Sequence, residues 1–141
     1  MTRLFLDANI LFAAAASPSG GSARVLELCQ AGFAQAIVSD LVLAEAARNI
    51  HAKLSSVATR RFNQLCVQTP LHRGPPPSPA SIRRMRRFIN EKDAPVLAAA
   101  VVSGADILLT LDQQLMTEAL RYKQLPIRLL TPGQWLQAVL V

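Results

Sequence analysis

The sequence predicts an α/β fold in which a parallel sheet is covered by helices on both faces. Three observations predict it. Short β-like runs of four or five residues alternate with longer helical runs along the chain. Capping residues stand where those helices begin. Hydrophobic residues make up 51% of 141 residues and charged residues only 17%, enough for a substantial core and too apolar for a disordered chain. A chain of this length is expected to form a single domain over residues 1–141.

The elements follow in order. "RLFL" (3–6) reads as a buried strand, and a helix follows from about Ala8 with Ile10, Leu11 and Phe12 on its apolar side. "GGSARVLELCQAG" reads as a second helix, with Val25, Leu26 and Cys29 on one face and Gly32 as its stop. "QAIV" (35–38) is a strand, after which Ser39 or Asp40 caps a helix carrying Leu41, Val42, Ala44, Glu45 and Ala46. A further helix is expected over 54–66. "TPLHRGPPPSPAS" (69–81) holds five prolines and is expected to be an irregular loop within the domain. "SIRRMRRFIN" (81–90) then forms an amphipathic helix: Ile82, Met85 and Ile89 share one face, with Arg83, Arg84, Arg86 and Arg87 around it. "DAPVLAAAVVSG" (93–104) has Asp93 at its N-cap, Pro95 in its first turn and Gly104 at its end. "DILLT" (106–110) is a strand, "LDQQLMTEAL" is helical, and "IRLL" is the last strand. Thr131 caps a closing helix with Pro132 at its first position.

Composition excludes several functions. Cys29, Cys66, His51 and His72 stand isolated, with no pair at ligand spacing, so a zinc site is not expected. Two lone thiols fit a reducing compartment better than a disulfide scaffold. Arg3 and the apolar run after it imitate a signal peptide, but Asp7 and Asn9 interrupt the run, and a cytoplasmic location is expected. No stretch of about 20 apolar residues exists, which excludes a membrane helix. The net charge of +6 suits an anionic partner such as a nucleic acid without requiring one.

With only nine acidic residues, position is informative. Asp7 directly follows the first strand, inside an otherwise apolar stretch where an unpartnered carboxylate costs several kcal/mol. Glu45 lies within two turns of the strand 35–38, Asp112 lies two residues after the strand 106–110, and Asp93 opens a helix. In an open parallel sheet the loops after the strands gather at one edge, where ligands bind. Asp7, Glu45 and Asp112 fall at that edge by chain order, and Asp93 joins them if its helix packs there. Carboxylates 4 Å apart repel by about 4 kcal/mol per pair at an effective dielectric of ~20. Such a cluster persists if cations neutralise it or some acids take up protons, and an all-oxygen set matches Mg²⁺ or Mn²⁺. Plainer roles also exist: Asp93 and Asp112 as helix caps, and Glu45 as a solvent-facing residue or a partner of Arg48.

Four segments in order resemble the PIN domain, a small metal-dependent nuclease family. "FLDANIL" resembles its opening strand and acid, and "LVLAEAARNI" the segment of its second acid. "EKDAPVLAAAVVSGADILLTLD" is similar to the stretch that carries the third and fourth, and "LLTPGQWL" to the closing strand and helix. The resemblance implies a three-layer fold, a parallel sheet of about five strands sandwiched by helices. It implies cleavage of RNA with Mg²⁺ or Mn²⁺ held by Asp7, Glu45, Asp93 and Asp112, and polar support from Asn9 and Thr110. It also implies, for the toxin branch, an antitoxin partner and a homodimer. Leu111 departs from the pattern, because the residue before the last acid is often Gly in relatives. The proline-rich insert (69–80) and the arginines Arg83, Arg84, Arg86 and Arg87 lie outside the motifs and are candidates for contact with RNA or a partner; Arg60, Arg61, Arg121 and Lys123 are further candidates for phosphate contact.

The expected function is therefore a metal-dependent ribonuclease acting as a toxin, with a non-catalytic RNA- or protein-binding domain of the same fold as the alternative. A phosphoryl-accepting receiver would need paired acids after the first strand, and a dinucleotide-binding domain would need GxGxxG where "SPSGGS" stands. Neither is present.

Overall fold

A computed structural model describes residues 1–140. Its strands are β1 (Arg3–Leu6), β2 (Gln35–Val38), β3 (Leu71–Arg73), β4 (Ile107–Leu109) and β5 (Arg128–Leu130). Its helices are α1 (Ala8–Ala16), α2 (Gly21–Gln30), α3 (Asp40–Lys53), α4 (Ser56–Gln68), α5 (Pro79–Met85), α6 (Ala94–Val102), α7 (Gln113–Ala119) and α8 (Pro132–Val139). All strands are parallel, in the order β3-β2-β1-β4-β5.

This order explains why "LFL" reads as one unbroken apolar run. β1 is central, bonded to β2 on one side and β4 on the other, and helices cover both of its faces. Leu4, Phe5 and Leu6 are therefore fully buried, as are Leu108 and Leu109 of β4. α1 packs against α2, α3 and α4, α2 against α8, and α5 against α6. α2 and α6 end as their glycines foretell: Gly32 and Gly104 take φ of 86° and 73°, the left-handed region that only glycine enters cheaply.

Two expectations are corrected. Leu71–Arg73, inside the segment expected to be irregular, forms β3 and pairs with β2 through Leu71, His72 and Arg73. An edge strand needs backbone donors on one side only, so three residues between Pro70 and the proline run suffice. The helix expected over 81–90 instead spans Pro79–Met85: the Ser78 side chain accepts from the Ser81 amide, and Pro79 fits the donor-free first turn. Beyond Met85 the backbone tightens into turns, with Arg87 N–H donating to the Arg84 carbonyl. The apolar face is as expected, with Met85 and Ile89 buried and Ile82 half-buried.

Gly74, just after β3, marks a close approach. A Cβ there would lie 2.8 Å from Ser103 Cβ, and Ser103 is itself buried. Gly74→Ala is expected to cost about 1–3 kcal/mol, the usual range for forced overpacking. Urea denaturation measures it, and a variant within error of the parent would show that the contact relaxes freely.

Candidate functional site

The strand order creates a switch point. From β1 the chain moves outward to β2 and β3, then returns to place β4 on β1's other side. Loops leaving β1 and β4 diverge there and open a crevice at the carboxyl edge of the sheet. Asp7 sits at the end of β1, and Thr110, Leu111 and Asp112 at the end of β4.

A hydrogen-bonded knot joins the two strand ends. The Asp7 backbone N–H donates to the Leu109 carbonyl at 3.1 Å. The Thr110 hydroxyl, fully buried, donates to Asp7 Oδ2 at 2.8 Å and accepts from the Asp112 N–H at 3.1 Å. Asn9 Nδ2 donates to Asp7 Oδ2 (3.3 Å) and Thr110 Oγ1 (3.2 Å), while Asn9 Oδ1 accepts from the Leu111 N–H (3.0 Å). Asp7 Oδ1 accepts from the Ala8 N–H at 2.8 Å, which caps α1. Leu111 takes no unusual backbone conformation, since no non-glycine residue among the described ones has positive φ. Glycine is not required at this turn, and Asp112 still caps α7 by accepting from the Leu115 N–H at 3.1 Å.

Asp7, Glu45, Asp93 and Asp112 all line one cleft of about 660 Å³. Burial pushes the Asp7 carboxyl above the usual carboxylate range. The Thr110 hydroxyl and the Ala8 amide pull it back, and the charges of Glu45 and Asp93 push it up again. Glu45 is exposed, on the second turn of α3, and forms no ion pair with Arg48. Asp93 does not cap α6 with its side chain, contrary to expectation; its carboxylate accepts from Asn90 Nδ2 at 2.9 Å.

Every donor in this set is an oxygen, which suits a hard divalent cation. As placed, no group of three or more His, Cys, Asp or Glu among the described residues is arranged to hold a metal ion.

The arginines at 83, 84, 86 and 87 are exposed and do not line the cleft; Arg86 pairs with Glu91 at 3.3 Å. Pro76, Pro77 and Ile82 do line it, so the insert and α5 wall the cleft with apolar surface. Arg61 donates to the Ala15 carbonyl and ties α4 to α1. Asn49, Lys53 and Lys92, which drew no attention in the sequence, also line the cleft. Glu45, Asn49 and Lys53 are spaced i, i+4, i+8 on one helix, a signal the sequence does contain. Both cysteines are free thiols, and burial raises Cys29 to about 11. No helix among the described residues is long and apolar enough to cross a membrane.

Comparison with known proteins agrees with this architecture. PAE2754 of Pyrobaculum aerophilum is similar over 99% of this chain and 96% of its own, at 18% identity and a TM-score of 0.66. VapBC2 of Rickettsia felis, solved with a DNA fragment from its promoter, is similar over 92% of this chain and 98% of that one, at 16% identity and a TM-score of 0.67. FitAcB of Neisseria gonorrhoeae is similar over the same shares, at 14% identity and a TM-score of 0.62. No curated protein sequence matches significantly. The PIN domain family model matches residues 3–114, and the chain belongs to the PIN domain family.

Proposed function

We propose that this protein is a Mg²⁺- or Mn²⁺-dependent endoribonuclease and the toxin of a toxin–antitoxin pair. One observation carries the reading: of the five carboxylates that line the cleft at the switch point, four, Asp7, Glu45, Asp93 and Asp112, come from separate elements. A bound divalent cation supplies Lewis acidity that activates water and offsets charge developing on a phosphodiester. Asp7, Asp93 and Asp112 would hold it. Glu45, exposed and lining the cleft, would either ligate it or take the proton of the attacking water.

The cleft suits a strand rather than a small molecule. It follows α3 from Asp40 to Lys53, about 20 Å of helix at 1.5 Å per residue. Carboxylates stand toward one end, and Asn49 and Lys53 continue along the helix with a hydrogen-bonding edge and a cation for the next phosphate. Affinity for RNA should fall with rising salt. An antitoxin that blocks the cleft accompanies this reading and is supported by the fold shared with the VapBC2 and FitAcB structures; a homodimer belongs to the same reading. A reading frame for a DNA-binding antitoxin beside this gene would support the toxin role.

The test is cation titration in parallel with RNA cleavage. Saturating Mn²⁺, at about 100 times its Kd, should stabilise the protein by about 2.7 kcal/mol, or about 5–10 °C in Tm, and EDTA should abolish cleavage. No thermal response and no cation-dependent cleavage would leave a non-catalytic RNA- or protein-binding PIN domain as the function.

A further inference from the structure

Asp93 stands where an acid ordinarily stabilises a helix start, yet its side chain does no capping. The turn before α6 shows why. Asn90 accepts the Asp93 N–H through Oδ1 at 3.0 Å, and its backbone carbonyl receives the amides of Asp93 and Ala94, each at 3.2 Å. Asn90 is thus the functional N-cap, and Asp93 is the residue three positions on. In a capping box that third residue's acid folds back to accept the cap residue's own N–H. Here Glu118 does so from another helix: the Asn90 N–H donates to Glu118 Oε2 at 3.1 Å. The box acid has been supplied from α7, and the Asp93 carboxylate is left for the cleft.

The same pair also aims that carboxylate. Asn90 Nδ2 donates to Asp93 Oδ2 at 2.9 Å and to Glu118 Oε1 and Oε2 at 3.2 and 3.1 Å. Two acceptors on either side of one amide fix its plane, and the amide fixes Asp93. Glu118 belongs to the helix that Asp112 caps, so the clamp ties the segment bearing one cleft carboxylate to the other.

We infer that Glu118 and Asn90 are positioning residues that set the orientation of Asp93 toward a cation in the cleft. The inference rests on the metal-site reading given above. Groups that orient a metal ligand typically contribute 10- to 100-fold to metal affinity. Two substitutions separate positioning from folding. Asn90→Ser keeps a good helix cap and loses the bridging amide. Glu118→Gln keeps size and one acceptor but turns an amide toward the Asn90 amide.

Mn²⁺ affinity by calorimetry, together with Tm in EDTA and RNA cleavage across a Mn²⁺ series, tests the role. Each variant should bind Mn²⁺ about 10- to 100-fold more weakly, with a cation-free Tm near that of the parent. Excess Mn²⁺ should restore cleavage toward the parental rate, a rescue that a merely structural defect would not show. If the parent binds Mn²⁺ and Asn90→Ser binds it equally well, the positioning role is overturned and the metal site stands. A parent that binds no Mn²⁺ overturns both. Should Glu118→Gln fail to fold, the Asn90→Ser comparison alone is decisive.

Discussion

Asp7→Asn is expected to lower RNA cleavage by about a thousand-fold or more while the protein remains folded. A cation at a reacting phosphodiester is worth several kcal/mol of transition-state stabilisation, and each 1.36 kcal/mol is tenfold in rate. Asp7 stands at the switch point, bonded to both strand ends, and no other acid follows β1 to take its place. The change should also alter stability in a defined direction. Burial raises the Asp7 carboxyl, so the folded state binds its proton more tightly than the unfolded chain does. Its contribution to stability is therefore complete below the ordinary carboxylate pKa and is lost as pH rises through the raised folded value. In EDTA the parent should lose stability across that window, and Asp7→Asn should lose less. Urea denaturation from about pH 4 to 8 measures the difference, and a single-turnover cleavage assay measures the rate. Cleavage that survives both the substitution and chelation would remove Asp7 from the chemistry.

Most of the fold was legible because each local signal agreed with the global arrangement. The triplet Leu4–Leu6 reads as a buried strand, and Ser39, Thr131 and Asp112 cap the helices that follow them; the helix expected over 54–66 spans Ser56–Gln68 instead, because Ser55 caps it. β3 was hidden because its three residues bond on one side only and lie among prolines that usually exclude a strand. Chain order in a parallel sheet gathers Asp7, Glu45 and Asp112 at one edge, whereas Asp93 reaches the same cleft only through the packing of α6, which chain order does not specify. The clamp on Asp93 was not legible. Asn90 and Asp93 have the spacing of a helix cap, but the acid that completes the arrangement is 28 residues on, at Glu118, and only packing of α7 brings it there. The four arginines near 81–90 turn to solvent on an amphipathic helix, as their spacing suggests, while its apolar residue Ile82 is what reaches the cleft.

Thr110→Val should destabilise the protein by about 2–3 kcal/mol, although the two side chains have nearly the same shape. The Thr110 hydroxyl has one proton to donate and two lone pairs to accept with, and all three are used: Asp7 Oδ2 receives, while Asn9 Nδ2 and the Asp112 N–H donate. A methyl group in its place strips the short 2.8 Å bond from a carboxylate already short of water, where a bond to a charged group is worth about 1.5–3 kcal/mol. It also leaves the Asp112 N–H without its partner at the turn that aims Asp112. Because the hydroxyl lowers the Asp7 pKa, its loss should push that carboxyl further up and steepen the fall of stability toward neutral pH in EDTA. Thr110→Ser keeps the hydroxyl and gives up only a buried methyl, so it should retain the shallower pH dependence at a cost of about 1 kcal/mol. The comparison separates the hydrogen bonds from the packing. If valine and serine variants unfold at the same urea concentration with the same pH dependence, the hydroxyl is not what makes the Asp7 charge tolerable, and Asn9 with the Ala8 amide must carry that role.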